Sequence, residues 1–216
     1  MFVNELKSKL KENAETAYGI FIGFPSTQLV EIAAYNGFDV VVIDDEHGTF
    51  TSQDIENMTI AAERAGVTPL VRVPSSDRIN ILKALDRGAH GVHVPQVNTK
   101  DEAKRVVEAV KYPPLGSRGA AFSMRAAKYG TVPIDQYLTA ANEQTLVCIH
   151  IETKEALDNL EEIVQVDGID MIYIGPTDLS VSLGYKGDIH HPDVLDAIDS
   201  IKKTANKYGV KVGIHT

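Results

Sequence analysis

Seven short apolar runs recur along the chain, and nearly every one is followed by a segment with helical periodicity. The runs are continuous rather than alternating in polarity, as expected for strands that are covered on both faces. Repeated strand–helix units favour parallel strands joined by right-handed crossovers. We predict strands over 18–24, 39–47, 68–74, 91–95, 145–152, 170–178 and 210–216.

Two architectures satisfy this pattern: an open doubly wound sheet and a closed barrel. The first predicted strand is followed by GFPST, whereas dinucleotide-binding sheets carry G-x-G-x-x-G at that point. Polar residues stand at the ends of most strands, and a barrel gathers those ends around one mouth. We therefore predict an α/β fold of the TIM (β/α)8 barrel type. Seven strands leave it one short, so we expect either that the eighth βα unit lies outside the 216 residues or that the barrel is completed in another way.

The rest of the chain fits a single barrel domain over 1–216, because no linker or internal repeat interrupts the pattern. Apolar spacing near the start predicts a helix over 2–12. The segment 112–144 is a long connection between the fourth and fifth predicted strands. Connections of that length usually serve function or assembly.

Composition excludes several classes of partner. The net charge of −9 and the pI near 5.2 argue against nucleic acid or an anionic membrane as the main partner. The single cysteine, Cys148, cannot form an intrachain disulfide, which fits a cytoplasmic location. The N-terminus lacks the apolar core of a signal peptide, and no segment is long and apolar enough to cross a bilayer.

Two acids are candidates for a metal site, Glu152 and Asp178, which we place at the ends of the fifth and sixth strands. Neighbouring parallel strands lie about 4.8 Å apart, so carboxylates at matching depth converge. Such oxygen donors suit Mg²⁺, Mn²⁺ or Co²⁺. The alternative is that each acid only caps the following helix. His150 shares a strand face with Glu152, so it could reach substrate or metal, or it could be a hydrogen-bonded core histidine.

A base and a cation follow two other strands. His47 ends the second strand, and histidine is the side chain that ordinarily exchanges protons near neutral pH, as general base work requires. Arg72 lies between valines, where a substrate carboxylate or keto oxygen, or a structural salt bridge, would satisfy it. The absence of G-x-S-x-G, C-x-x-C and an obvious strand-borne lysine favours metal-assisted over covalent catalysis. Candidates to orient His47 are Asp44, Asp45, Glu46 and Asp86.

Six stretches in order closely resemble the HpcH/HpaI family of metal-dependent 2-oxo acid aldolases. They are IDDEHG (43–48), VRVP (71–74), LDRGAHGVHVPQV (85–97), YPPLGSRG (112–119), IETKEALDNL (151–160) and IGPTDLSVSLGY (174–185). The resemblance implies a (β/α)8 barrel, a homo-oligomer, and reversible cleavage of a 4-hydroxy-2-oxo acid to pyruvate and an aldehyde. The alternatives are a related lyase acting on a CoA thioester or another oxo or hydroxy acid, and a non-catalytic metabolite-binding barrel.

Matched position by position, the resemblance implies a role for each candidate. Glu152 and Asp178 become the metal ligands. His47 becomes the acid/base residue, Asp86 raises its basicity, and Arg72 stabilises the enolate.

The resemblance also places substrate contacts, at His150, Gly175, Thr177 and Asp178. Three positions depart from the family pattern. His150 stands where glutamine is usual, Thr177 where alanine is usual, and His215 where an apolar residue is usual. We expect these changes to alter the pocket for the aldehyde part of the substrate.

Overall fold

The computed structural model describes residues 3–12 and 16–216. Its strands are β1 Gly19–Ile22, β2 Val40–Asp44, β3 Thr68–Arg72, β4 Gly91–Val94, β5 Leu146–Ile151, β6 Met171–Ile174 and β7 Lys211–Ile214. Its α-helices are α1 Glu5–Glu12, α2 Thr27–Tyr35, α3 Ser52–Ala65, α4 Arg78–Asp86, α5 Lys100–Val110, α6 Ile134–Gln144, α7 Lys154–Asp158, α8 Leu160–Ile163, α9 Pro176–Ser182 and α10 Pro192–Lys207. A 3-10 helix covers Arg125–Gly130. The predicted helix over 2–12 corresponds to α1, and its predicted start at residue 2 lies outside the described residues.

The chain divides into two compact units. The first contains the described residues up to Val92 together with Glu108–Leu146, and the second contains His93–Val107 and Val147–Thr216. In the first unit β2 pairs in parallel with β1 and β3, and in the second β6 pairs in parallel with β5 and β7. Strand order follows chain order in each unit, and the prediction of a TIM-type α/β fold with seven parallel strands is confirmed.

The core explains why the strand sequences are continuously apolar. All five residues of β2 are buried in the first unit, and all six residues of β5 are buried in the second. Burial on both faces is what parallel strands covered by helices require.

Side-chain caps start the helices. Ser26 accepts a hydrogen bond from the N–H of Leu29 and begins α2. The cap of α3 is Thr51 rather than the neighbouring Ser52. The hydroxyl of Thr51 accepts from the N–H of Asp54, and the Asp54 carboxylate accepts from the N–H of Thr51. This reciprocal pair satisfies two N–H groups at once, which a cap at Ser52 would leave open.

The predicted strand over 170–178 is too long. The strand ends at Ile174, and Pro176 begins α9. Proline suits the first position of a helix, because a backbone N–H there would have no partner within the helix. Asp178 therefore lies in the first turn of a helix rather than at a strand end. After Thr153 the helical segment is interrupted at Asn159, which separates α7 from α8.

The long connection 112–144 is ordered by its own small core in the first unit. Tyr112 and Tyr137 are buried, and their ring centroids lie 5.8 Å apart. Phe122 packs against the same cluster, which joins α6 to the segment preceding the 3-10 helix. Among the residues that the structure describes, every helix is too short or too polar to cross a bilayer.

Candidate active site and its relatives

Arg72 is the centre of an ion-pair cluster in the first unit. The parallel register of β2 and β3 sets Asp44 opposite Arg72 at the carboxyl ends of both strands. Arg72 Nε donates to Asp44 Oδ1 at 2.8 Å, and Nη2 donates to Oδ2 at 2.6 Å. Nη1 lies 3.2 Å from Glu46 Oε2, and the guanidinium carbon stands 5.1 Å from the ring centroid of Phe21. The salt bridge left open by the sequence is therefore present, and its two-pronged geometry fixes the guanidinium plane.

His47 lies in the turn that follows β2. Its backbone N–H donates to Asp44 Oδ1 at 3.4 Å, and its Nε2 stands 3.8 Å from Glu46 Oε2. The Glu46 carboxylate thus lies next to both His47 and Arg72. Glu46 is one of the four acids considered as orienting partners of His47. The imidazole remains 66% exposed, so a solute can reach it.

The carboxylates of this turn differ in acidity. Burial raises the pKa of Asp44, but hydrogen bonds from Arg72 and the positive charge of Arg72 outweigh that effect and leave the pKa below its usual value. Burial and the neighbouring charge of Asp44 raise the pKa of Asp45. Asp44 is therefore the firmly ionised member, which suits a fixed counter-ion for Arg72.

Asp86 ends α4 and contacts an arginine that we did not assign from the sequence. Arg118 Nη2 donates to Asp86 Oδ1 at 2.9 Å, and its guanidinium carbon stands 4.7 Å from the ring centroid of Tyr112. Asp86 faces Arg118 and His47 faces Glu46, so these contacts do not join His47 to Asp86. A buried arginine in the glycine-containing stretch YPPLGSRG was the sequence signal for this partner.

Glu152 directly follows β5 in the second unit and is 4% exposed. Its Oε1 accepts the backbone N–H of Gln96 at 2.8 Å, and its Oε2 lies 3.3 Å from His150 Nδ1. Gln96 adopts a left-handed backbone with φ of 53°, an uncommon conformation that aims its N–H at the carboxylate. Thr153 caps α7 through the N–H of Ala156, so the helix-capping alternative for Glu152 does not hold.

Asp178 approaches the same glycine as Glu152. A Cβ built on Gly175 would lie 2.9 Å from Glu152 Oε2 and 3.7 Å from Asp178 Oδ2. The two carboxylate oxygens are therefore no further apart than those two distances together. Gly175 occupies the cap position of α9, so Asp178 does not cap that helix either. Thr177 precedes Asp178 in the first turn, and both are exposed.

His150 is a buried member of a polar cluster that sequence reasoning missed. Its Nε2 lies 3.1 Å from Nδ1 of His93, and Cys148 Sγ lies 3.6 Å from the same Nδ1. Tyr173 packs its ring against both imidazoles, with centroids 5.2 Å and 5.1 Å away. The signal that could have revealed the cluster is His93 itself, a histidine between valines in the β4 run GVHVP. His215, the third departure from the family pattern, is exposed just after β7.

Comparison with known proteins identifies relatives across nearly the whole chain. The family model described as HpcH/HpaI aldolase/citrate lyase matches residues 17–214. The 2-keto-3-deoxy-L-rhamnonate aldolase of Klebsiella pneumoniae is 40% identical over 200 residues, which are 92% of this chain and 74% of that protein.

Solved structures agree with this assignment. A crystal structure of an HpcH/HpaI aldolase/citrate lyase family protein from Burkholderia cenocepacia superposes with a TM-score of 0.93 at 35% identity, covering 98% of this chain and 84% of that one. The citrate synthase SbnG superposes with a TM-score of 0.89 at 32% identity, covering 98% and 81%. The chain belongs to the HpcH/HpaI aldolase/citrate lyase family, and it is a carbon–carbon lyase of the aldolase type.

Proposed function

We propose that this chain catalyses reversible aldol cleavage of a 2-keto-3-deoxy acid bearing a 4-hydroxyl group, and that a divalent cation held by Glu152 and Asp178 is required. The observation that carries the proposal is the convergence of both carboxylates on the space beside Gly175. The 40% identity to a 2-keto-3-deoxy-L-rhamnonate aldolase supports the substrate class. The products are pyruvate and a hydroxyaldehyde.

The residues around Gly175 fit a hard cation. Glu152 and Asp178 offer carboxylate oxygens, the donors that Mg²⁺ and Mn²⁺ prefer, and Co²⁺ also accepts them. A side chain at position 175 would meet the Glu152 carboxylate, so the glycine keeps that oxygen accessible. When bound, the cation supplies Lewis-acid polarisation of the substrate's keto oxygen.

Arg72 is proposed to stabilise the enolate. Its guanidinium is held by Asp44 and Glu46, so its plane is fixed before substrate arrives. A preorganised donor of this kind acts on developing negative charge without reorganising during the reaction. The ionised Asp44 keeps the arginine in place while Arg72 donates to the oxygen that becomes negative.

His47 is proposed to move the proton. It accepts the proton of the substrate's 4-hydroxyl, directly or through water, as the C3–C4 bond breaks. The bonding pair moves to C3 and forms the enolate of pyruvate, while C4 becomes the aldehyde carbon. A proton then returns to C3 and completes pyruvate. The exposed imidazole beside Glu46 is accessible for this exchange.

Asp86 is proposed to raise the basicity of His47, as the family pattern implies. Asp86 also forms an ion pair with Arg118. The test must therefore separate the effect of Asp86 on His47 from the effect of losing that ion pair. The variant Asp86→Asn should shift the acid limb of the kcat/KM pH profile to lower pH, because a less basic imidazole stays unprotonated at lower pH. Arg118→Lys is the control, since it keeps the carboxylate and perturbs the ion pair.

We propose that residues departing from the family pattern determine which aldehyde part of the substrate the site accepts. Thr177 and His215 are exposed, whereas His150 is buried behind Glu152. We propose that Thr177 contacts substrate through its backbone and that Gly175 and Asp178 line the same region. His150 would act on substrate through the position of the Glu152 carboxylate.

The deciding experiment is a lactate-dehydrogenase-coupled assay for pyruvate over a panel of 2-keto-3-deoxy acids, with and without EDTA. We expect turnover on 2-keto-3-deoxy-L-rhamnonate or a close analogue, abolished by EDTA and restored by Mg²⁺, Mn²⁺ or Co²⁺. Turnover only on a CoA thioester would assign the chain to the other lyase branch. Metal binding without turnover on any panel member would favour a metabolite-binding barrel.

We further propose that the protein is a cytoplasmic homo-oligomer. The molecules that it binds are small 2-oxo acids. Large apolar side chains exposed around β1 and α2, namely Tyr18, Phe24, Ile32 and Tyr35, support a subunit interface. Light scattering of the purified protein tests the oligomer. A monomer at all accessible concentrations would contradict it.

A further inference from the structure

We propose that His93, Cys148 and His150 form a second metal site, suited to a borderline-soft cation such as Zn²⁺. One donor atom from each side chain lies within 4.8 Å of the other two, and all three side chains are buried. Two imidazoles and a thiolate form a donor set typical of Zn²⁺ and Co²⁺. This site is separate from the carboxylate pair in its donors, and it does not depend on the proposed aldolase mechanism.

The spacing of the donors matches a tetrahedral centre. With metal–nitrogen bonds of about 2.0–2.1 Å and a metal–sulfur bond of about 2.3 Å, adjacent ligands lie about 3.4 Å apart for two nitrogens and about 3.6 Å apart for nitrogen and sulfur. His93 Nδ1 is 3.1 Å from His150 Nε2 and 3.6 Å from Cys148 Sγ. These two spacings are within a few tenths of an ångström of the tetrahedral values, and the third pair, Cys148 Sγ and His150 Nε2, lies within 4.8 Å.

The surroundings of the second ring nitrogen of His150, Nδ1, also support a metal site at Nε2. Metal-binding histidines usually donate their other N–H to a carboxylate, which fixes the ring and strengthens the ligand. His150 Nδ1 lies 3.3 Å from Glu152 Oε2, so Nε2 is the nitrogen directed at His93 and Cys148. Tyr173 packs against both rings and restricts their rotation.

Metal binding would exchange one set of interactions for another. Without metal, the two imidazoles share a hydrogen bond and burial raises the pKa of the Cys148 thiol. Binding replaces the S–H bond with a sulfur–metal bond and releases one proton to solvent, so no oxidant or reductant is needed. Three side chains leave the fourth tetrahedral position to a water molecule.

The test is a Co²⁺ titration of the metal-stripped full chain, followed by visible and near-ultraviolet absorption. We expect intense tetrahedral bands and a thiolate-to-Co²⁺ charge-transfer band at one equivalent, both displaced by Zn²⁺. The variant Asp178→Asn removes a hard-oxygen ligand and should leave these bands unchanged. Cys148→Ser should abolish the charge-transfer band, and His93→Gln should lower the apparent Co²⁺ affinity at least tenfold.

Circular dichroism verifies that each variant is folded, and His150→Gln provides a second test because glutamine is usual there in the family pattern. This variant should also lose the tetrahedral bands. Absence of a charge-transfer band in the wild type, or its persistence in folded Cys148→Ser, would overturn the proposal. Loss of the bands in Asp178→Asn would overturn it too, since the signal would then belong to the carboxylate site.

Discussion

The cluster of polar side chains around Arg72 and the cluster around His150 are held together by different interactions. Around Arg72 the groups are charged and hold each other by ion pairs, and His47 is 66% exposed. Around His150 the groups are two imidazoles, a thiol, a tyrosine ring and the Glu152 carboxylate, and the His150 side chain is 1% exposed. The first cluster is therefore sensitive to the loss of a charge, whereas the second is sensitive to added volume. The predictions below test this contrast.

Removing the exposed imidazole should have the largest effect on turnover. We expect His47→Ala to lower kcat by about 10²–10⁴-fold, the usual contribution of general acid–base catalysis. Mn²⁺ affinity should stay near the wild-type value, because His47 is not a proposed ligand. The coupled assay beside calorimetric titration measures both. His190→Ala, at another exposed histidine, is the matched control, and near-normal turnover of His47→Ala would remove His47 from the mechanism.

Replacing Arg72 by lysine keeps the charge and removes the planar fork. We expect kcat/KM to fall by about 10²–10³-fold, as when a preorganised donor to an oxyanion is lost. The pyruvate assay reports this directly. Arg64→Lys, at an exposed arginine of α3, should change nothing. Equal activity of both variants would mean that Arg72 serves only the ion pair with Asp44.

Asp44 should contribute to stability in a pH-dependent way. Burial raises its pKa, but hydrogen bonds from Arg72 and the charge of Arg72 hold the pKa in the folded chain below the ordinary value of an aspartate. Its contribution is therefore fully present above that value and is lost as pH falls through the lower folded pKa. We expect Asp44→Asn to lower the free energy of unfolding at pH 7 by about 2 kcal/mol, since it breaks charged hydrogen bonds to Arg72.

Urea unfolding across the acid range measures the Asp44 contribution, and the loss in Asp44→Asn should shrink toward low pH. The neighbouring variant Asp45→Asn is the control. The pKa of Asp45 is raised by burial and by Asp44, so neutralising Asp45 should cost no stability at pH 7. A loss in Asp45→Asn as large as that in Asp44→Asn would break the contrast between the two acids.

A methyl group added beside Glu152 tests how the buried cluster around His150 responds to added volume. The methyl group of Gly175→Ala would lie 2.9 Å from Glu152 Oε2 and displace that oxygen. We expect Mn²⁺ affinity to fall by about tenfold, as when the surroundings of a metal ligand are disturbed. Calorimetry of the stripped protein measures the change. Gly23→Ala is the control, because a Cβ there meets nothing within 4 Å.

Sequence periodicity predicted the strands well because continuous apolar runs directly reflect burial on both faces. It failed at the junction after β6, where apolar residues run into Pro176 and only the proline marks the start of α9. It left four acids open as partners of His47, because the turn after β2 ends the strand alternation that would have separated them. The local sequence pattern predicts where strands and helices lie, but it does not predict the backbone conformation of a turn.

Arg72 and Glu152 were predictable from local pattern, because a charged side chain there interrupts or ends an apolar run. Arg118 and His93 were missed because their partners, Asp86 and His150, lie 32 and 57 residues away in sequence. Such contacts depend on tertiary packing, which no local spacing encodes. The roles assigned to Glu152, Asp178 and His47 stay predictions until they are measured.

The most direct test of the central claim is pyruvate release by metal-stripped wild type and Asp178→Asn across a range of Mn²⁺ concentrations. The wild type should be inactive without metal and should regain turnover as Mn²⁺ saturates one site. The variant should need a much higher Mn²⁺ concentration or stay inactive. Equal turnover of both proteins in the presence of EDTA would contradict a cation held by Glu152 and Asp178.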